Sequence, residues 1–292
     1  MSVAVSIIIV SYNSGAVLPA CLSSLASREP GILPGDIEVL VVDNASPYRS
    51  AEQIATHFPW VRLIRSEQNV GFGRANNLGA SLASGRHLFF LNPDTELRTS
   101  AATELLEFME KPEHSHIGIA GPCVEDEFGA QGTVGGNFPT LMSLLRELIP
   151  AGISSYRLQI RATHDDYQLI DYVTGAGMFI RRELFQRAGG FDPGFFLYFE
   201  ETELQYRLAR MGYARAVHNR ARIMHRCATR DYKDTIERIR FFESSRILYY
   251  RKTMGRMATL MAKGLLVLYY LSRGMAKRRG RYLSAAALVM TL

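Results

Sequence analysis

Residues 3–13 read VAVSIIIVSYN. From Val3 to Val10 the run is apolar and rich in β-branched side chains, and Ser11, Asn13 and Gly15 bound it. Such side chains suit extended backbone, and a strand apolar at odd and even positions alike is covered on both faces, as in a parallel sheet. The pattern recurs at Ile37–Val42 (IEVLVV), Val61–Arg65 and His87–Leu91 (HLFFL). Apolar spacing predicts helices at Val17–Ala26, Ala51–His57, Gly73–Ser84 and Thr99–Glu110. Strands and helices that alternate at short intervals make a βαβ-type α/β domain. The first run lacks a basic leader and a small-residue cleavage site, so it reads as a buried strand and not as a signal peptide.

Polar residues gather where these strands end: Ser11-Tyr12-Asn13, Asp43-Asn44 and Asn92-Pro93-Asp94. Open α/β sheets bind ligands at the carboxyl ends of their strands, so one sheet edge collects all three groups. No GxGxxG follows the first strand and no GxxxxGK[ST] occurs, which argues against a dinucleotide-dependent oxidoreductase and a P-loop NTPase. From Ile117 to Tyr167 the pattern loosens, with one amphipathic patch at Leu141–Ile149. Tyr172–Ile180 (YVTGAGMFI) reads as a strand broken by glycines, Arg182–Arg187 as a short helix, Glu201–Met211 as a helix and Ala214–Val217 as a strand.

The bulk numbers agree with a globular protein: 292 residues, 47% hydrophobic and 21% charged. Cys21, Cys123 and Cys227 are odd in number and sit at no metal or redox spacing, which predicts a reducing compartment without disulfides. The net charge of +6 is unevenly spread. Residues 1–204 hold 14 Lys/Arg against 24 Asp/Glu, whereas residues 205–292 hold 20 against 4. A basic tail suits an anionic partner such as a membrane surface or a diphosphate. Nucleic acid is not expected, because no readout motif accompanies the charge.

Three acidic features carry chemistry. Asp43 ends a strand and can accept hydrogen bonds from a base or ribose, or it can simply form an Asp-Asn turn. Asp94 follows a strand in a rigid Asn-Pro-Asp turn, where it can hold Mg²⁺ or Mn²⁺ against phosphates or cap the next helix. Glu200, Glu201 and Glu203 follow the ring-rich stretch FFLYF (195–199). A carboxylate beside aromatic walls is poorly solvated, which raises its pKa and suits a general base. Equally, Glu in a first helical turn complements the dipole, and Glu203 can pair with Arg207 four residues on. The preceding Gly189-Gly190 permits a tight turn that aims the cluster.

Taken in order, SIIIVSYNS (6–14), EVLVVDNAS (38–46), NVGFGRANNLGA (69–80), FFLNPDTEL (89–97), VTGAGMFIRRELFQRAGGFDPGFFLYFEETEL (173–204) and ARIMH (221–225) resemble the inverting family 2 glycosyltransferases of the GT-A fold, in their rhamnosyltransferase-like branch. The resemblance implies a catalytic domain over residues 1–225 and a basic amphipathic helical region over 226–292. It implies a Rossmann-like, mixed but mostly parallel sheet flanked by helices. Tyr12 and Asn13 match the start of the family's nucleotide pocket, and Asp43 its base- and ribose-binding carboxylate. Asn69, Gly71, Phe72, Asn76 and Asn77 match the segment that lines the donor nucleotide. Asn92 and Asp94 match the DxD-type metal motif with Asn in its first place, leaving Asp94 as the principal protein ligand of Mg²⁺ or Mn²⁺. His225 matches a histidine that contacts metal or diphosphate.

In the family's acidic motif the second position is usually Asp and acts as base. Here it is Glu201, one methylene longer, and catalysis responds to ~1 Å of misplacement. The resemblance therefore implies Glu201 as base, with Glu200 as the alternative. It further implies transfer of L-rhamnose from dTDP-L-rhamnose to a polyprenyl-diphosphate-linked glycan in bacterial surface polysaccharide synthesis. The competing readings are a UDP-hexose donor and a non-catalytic nucleotide-sugar-binding module.

In the tail, Leu265–Leu271 (LLVLYYL) is too short to span a bilayer, which takes ~20 residues. Its flanking Arg, Lys and Tyr suit an interfacial helix on an anionic leaflet, and so a cytoplasmic protein peripheral to the inner face of the plasma membrane, or else a helical subdomain packed on the catalytic domain with its basic residues solvated.

Overall fold

The computed structural model describes residues 3–32, 35–47, 54, 56–148, 159–163, 165–226, 235–277 and 280–292. The helix expected at Ala51–His57 lies mostly outside the described residues, as does Cys227. Cys21 and Cys123 are buried and free.

Strand β1 (Val5–Ser11) is buried at every position because parallel neighbours flank it on both sides. β2 (Ile37–Asp43) pairs with it residue for residue, Val5 opposite Ile37 through Ser11 opposite Asp43, and β3 (Val61–Arg65) continues outward. β4 (His87–Leu91) lies on the other side. This register puts Tyr12-Asn13, Asn44 and Asn92-Pro93-Asp94 at one edge, as the strand ends predicted.

Beyond β4 the sheet becomes mixed. β5 (Thr95–Leu97), β6 (Ile117–Glu125), β9 (Tyr167–Ile170), β11 (Gly177–Arg181) and β12 (Ala214–His225) complete nine strands among the described residues, ordered β3-β2-β1-β4-β11-β6-β12-β5 with β9 on β12. Six of the nine point the same way. A small second sheet joins β7 (Gly135–Gly136), β8 (Gln159–Ile160) and β10 (Tyr172–Val173).

Helices α1 (Leu18–Arg28), α2 (Phe72–Leu82) and α3 (Ala101–Glu110) flank the large sheet. α2 approaches closely because it carries glycine: a Cβ on Gly79 would sit 2.6 Å from Ile8. α4 (Leu141–Leu148), α5 (Arg182–Arg187), α6 (Glu200–Arg210), α7 (Ile236–Lys277) and α8 (Gly280–Thr291) follow. α7 is two helical arms that meet at Gly255, whose φ of 85° no α-helix accommodates. Tyr270 donates a 2.7 Å hydrogen bond to Glu243. Residues 27 apart would be separated by ~40 Å in a straight helix, so the arms fold back as a hairpin.

Three elements depart from the expectation. β6 is wholly buried, yet its Gly118, Gly121 and Pro122 mask the strand pattern. Both glycines are forced by packing: a Cβ would lie 2.8 Å from Tyr213 at Gly118 and 2.8 Å from Val173 at Gly121. Pro122, which has no N–H to donate, stands where β12 shifts register between His218 and Arg222. That irregularity also carries β12 past the expected Val217 to His225. The run Tyr172–Ile180 is two strands, with Thr174-Gly175-Ala176 between them as a loop.

Two hydrophobic clusters form. The larger fills the space between the sheet and α1–α3 and includes β1, β4 and β11. The smaller is built by α7 and α8 with Leu144 of α4 and Phe195. Among the described residues no helix is long and apolar enough to cross a membrane.

Candidate active site

A cleft of about 600 Å³ opens at the carboxyl edge of β1, β2 and β4. Its first wall is the turn after β4. The Asn92 carbonyl accepts from the Thr95 hydroxyl at 2.7 Å, and the Asn92 N–H donates to Ala176 at 3.1 Å. β12 runs antiparallel to β5 and sets His225 opposite Thr95. His225 Nε2 thereby lies 3.1 Å from Asp94 Oδ1, across 131 residues of sequence. The Arg226 N–H, bonded to the Asp94 carbonyl at 3.0 Å, fixes the same crossing.

The second wall is polar. Asn13 has a φ of 56°, and its N–H donates to Ser46 Oγ at 3.0 Å. Tyr12 is 48% exposed and forms part of the rim. Buried Asn44 organises the neighbouring loop: its Nδ2 donates to Asn69 Oδ1 at 2.9 Å, and its Oδ1 accepts from the Val70 N–H at 3.0 Å. Asn69 Oδ1 accepts in addition from the Gly71 N–H at 3.1 Å.

The third wall is the stretch Phe195–Glu201. Phe72 N–H donates to the Phe196 carbonyl at 2.8 Å, and a Cβ on Gly71 would meet that oxygen at 2.5 Å. Tyr198 and Phe199 both take left-handed backbone, with φ of 70° and 67°. Two consecutive side chains in that region cost ~1–2 kcal/mol each and persist only where surroundings impose them. The first arm of α7 supplies that imposition. Ser245 donates to the Leu197 carbonyl at 2.7 Å, Arg238 to the Tyr198 hydroxyl at 3.0 Å, and Phe241 stacks on Phe196 with centroids 5.0 Å apart.

The strained stretch delivers Glu200 and Glu201 into the cleft at the start of α6. Glu203 points away and grips Arg207 through Nε at 2.8 Å and Nη2 at 2.8 Å. Arg207 in turn donates to Gly190 at 2.7 Å and to Ala188, locking the Gly189-Gly190 turn in its positive-φ form. Gln205 clamps α6 to β10 through both its amide groups, at 2.8 and 2.9 Å to Val173. That clamp sets Glu201 against Gly175, where an added Cβ would lie 3.7 Å from the carboxyl carbon.

Burial raises the pKa of both carboxyls. Glu200 is pushed well up, by burial first and by the Glu201 charge second, and its Oε2 has no hydrogen-bond partner among the described residues. Glu201 is half-buried and raised by desolvation, with the Thr202 N–H and hydroxyl and its own N–H working against the shift. Glu200 is the more deeply buried of the two and is raised further, and Glu201 holds the more accessible carboxyl.

The cleft thus unites Tyr12, Asn13, Asn69, Phe72, Asn92, Asp94, Glu200, Glu201 and His225. Four residues expected at the nucleotide lie elsewhere. Asn76 is buried in α2, where it donates to the Phe72 carbonyl at 3.1 Å. Asn77 brackets the Phe191 backbone, donating to its carbonyl at 2.8 Å and accepting from its N–H at 2.9 Å. Gly71 provides close approach instead of a wall, and Asp43, half-buried at the end of β2, accepts from the Ser46 N–H at 3.3 Å. Asn44 lines the cleft, as its place at a strand end implied, and the loop Thr174-Gly175-Ala176 lines it unforeseen. The glycine pair flanking Ala176 was the signal that Tyr172–Ile180 was not one strand.

Among the described residues no three His, Cys, Asp or Glu side chains gather as a metal cluster. Asp94 and His225 offer one carboxylate and one imidazole. That set fits a hard divalent cation that takes its other ligands from water and phosphate oxygens.

The sheet order and its edge cleft are those of the GT-A glycosyltransferases. The crystal structure of GalNAc-T7 with UDP, GalNAc and Mn²⁺ superposes with a TM-score of 0.63 at 19% identity, covering 84% of this chain and 48% of that one. At such identity the likeness speaks for the fold alone. The sequence goes further: residues 6–189 match Glycosyl transferase family 2. The chain belongs to that family and is a transferase by membership, within a rhamnosyltransferase-like group of relatives. It is 24% identical over 237 residues to the N-acetylglucosaminyl-diphospho-decaprenol L-rhamnosyltransferase of Mycobacterium tuberculosis, covering 75% of each chain. It is 26% identical over 217 residues to rhamnosyltransferase WbbL of Escherichia coli, covering 71% of this chain and 78% of that one. The family match ends before Glu200, Glu201 and His225, so their roles rest on the geometry above.

Proposed function

We propose that the protein transfers L-rhamnose from dTDP-L-rhamnose to a lipid-linked glycan, with inversion at the anomeric carbon. The observation that carries this reading is the convergence of Glu201 and the Asp94–His225 pair on one cleft. The relatives' rhamnosyl chemistry supports the sugar, and the decaprenol-linked acceptor of one of them supports the lipid.

In this reading Tyr12, Asn13 and Asn69 hold the donor nucleotide, and Asp43 accepts hydrogen bonds from its base or ribose. Asp94 and His225 would hold Mg²⁺ or Mn²⁺, which when bound offsets charge on the departing diphosphate. Glu201 accepts the proton of the acceptor hydroxyl as that oxygen attacks the face opposite the leaving group. Glu200, its carboxyl raised by burial and by the neighbouring Glu201, stands beside the base. No protein nucleophile is required for a single displacement.

We place the protein on an anionic leaflet through the second arm of α7. Met257, Leu260, Met261, Leu268 and Leu271 are exposed at helical spacing along that arm. The excess of Lys/Arg in residues 205–292, 20 against 4 acidic, complements an anionic surface.

The test is a panel of nucleotide sugars with Mn²⁺ or Mg²⁺, following nucleoside-diphosphate release and, with acceptor, the anomeric configuration by NMR. Turnover of dTDP-rhamnose with an inverted product is expected. Turnover of a UDP-sugar alone overturns the donor, and a retained configuration overturns the mechanism.

A further inference from the structure

A second cleft of about 350 Å³ lies across Glu201 from the first, and Glu201 and Tyr198 line both. Its walls come from α4, β10, the start of α6 and both arms of the α7 hairpin. Tyr172, Phe242 and Tyr269 contribute ring surface. At its base lies a chain of polar contacts. Arg246 donates to Glu147 at 2.6 Å and pairs with Glu243 at 3.7 Å, while Tyr270 donates to Glu243 at 2.7 Å. Glu243 is 1% exposed, and its Oε2 has no hydrogen-bond partner among the described residues. A buried acceptor oxygen left unpaired is costly unless something donates to it.

The charge balance narrows what that something is. Arg246 already faces two carboxylates, so the cleft carries no spare positive charge for a phosphate or uronate. Ring faces together with an unpaired carboxyl oxygen suit a molecule with apolar C–H faces and hydroxyl groups. That is a neutral pyranose. The volume lies at the lower end of the ~300–1,000 Å³ of ligand pockets, in keeping with a small occupant.

We propose that this second cleft is the subsite for the acceptor's terminal sugar, a neutral pyranose that stacks on Phe242 and Tyr269 and donates a hydroxyl to Glu243. The proposal rests on the reading of Glu201 as base: a sugar seated here presents a hydroxyl to Glu201 from the side opposite the donor. The hairpin thereby sets acceptor specificity. Any charged group of the acceptor, such as a diphosphate, stays outside the cleft.

The experiment measures binding of methyl β-glycosides of glucose, N-acetylglucosamine and glucuronic acid to the full chain by ligand-observed NMR. Phe242→Ala, at an exposed position, and Glu243→Gln, which still accepts from Tyr270, are compared with the wild type. A neutral glycoside is expected to bind, with Kd raised about fivefold or more in each variant. The glucuronide is expected to bind more weakly, and Tyr12→Ala in the first cleft to leave neutral-sugar binding unchanged. No binding to the wild type, equal binding by all variants, or preference for the glucuronide overturns the subsite. Transfer from donor to a lipid-linked acceptor, measured in parallel, separates the two readings. Sugar binding that follows the variants without any transfer leaves the subsite standing and overturns the reaction.

Discussion

Ser245 donates a 2.7 Å hydrogen bond to the carbonyl of Leu197, 48 residues earlier, and so ties the C-terminal hairpin to the stretch that leads into Glu200 and Glu201. Leu197 is followed by two residues in left-handed backbone, and the bond anchors the strained segment from outside. The basic C-terminal region therefore braces one wall of the candidate cleft from behind as well as forming a charged surface.

Ser245→Ala removes this anchor. Loss of one such bond costs ~1 kcal/mol and leaves the Leu197 carbonyl unpaired. A fall in Tm of about 2–4 °C is expected from that cost in a chain of this size. Because the released stretch carries Glu201, kcat falls more than the donor KM changes. Steady-state kinetics beside a thermal melt check both.

Stability should decline with pH because of Glu200. Its carboxyl holds a proton more tightly in the folded chain than unfolded, where the value is near 4.5. Between those two values the native state binds more protons, so its stabilisation is complete below about 4.5 and is lost as pH rises through the raised pKa. From pH 4.5 to 8 the melts of wild type and Glu200→Gln should diverge, the wild type losing Tm relative to the variant as pH rises. A difference between the two that does not change with pH contradicts this account of the buried carboxyl.

Gly71 has both a φ of 88° and a carbonyl where its Cβ would stand. Gly71→Ala therefore forces the Phe196 stretch away from α2 and costs roughly 2 kcal/mol or more. Weaker nucleotide-sugar binding in isothermal titration, together with a lowered Tm, is the expected outcome. Gly35→Ala provides the control, since it shares the positive φ but meets nothing within 4 Å.

How much of this was legible in the sequence depended on how each residue reaches the site. The strands β1 to β4 are covered on both faces, so their apolar runs declared the parallel sheet, and Asp94 and Glu201 stood out as acids after apolar stretches. His225 was visible only through its resemblance, because a crossing of β12 over β5 brings it to Asp94. β6 was lost because its glycines are there for the sake of Tyr213 and Val173, which pattern cannot see. Asn76 and Asn77 carry the polarity of ligand residues but spend it on Phe72 and Phe191, a use that only coordinates reveal. The second cleft depends on the reversal at Gly255, and a helical run of 42 residues gives no hint of where it folds back.

The Asp94–His225 pair predicts metal-dependent turnover. Asp94→Asn and His225→Ala should each lower kcat by about 10²-fold or more, the scale of losing one stabiliser of transition-state charge. Mn²⁺ binding followed by electron paramagnetic resonance, with nucleoside diphosphate present, should weaken in both. Unaltered Mn²⁺ binding contradicts the ligand assignment.

The exposed stripe on α7 predicts binding to anionic vesicles that fades with salt, because the electrostatic part acts within a Debye length of ~10 Å at 0.1 M. Replacing Met257, Met261 and Leu268 together with Ser should abolish co-sedimentation and leave transfer to a water-soluble acceptor unchanged. Sedimentation that survives the replacement places the contact elsewhere.

The most direct test of the central claim is transfer to acceptor by Glu201→Gln and Glu200→Gln side by side, both confirmed folded by their melts. The geometry predicts that Glu201→Gln loses activity by about 10²-fold or more, the scale of removing a positioned general base, while Glu200→Gln stays within about tenfold of wild type. The reverse order, or equal residual activity in the two, contradicts Glu201 as the base.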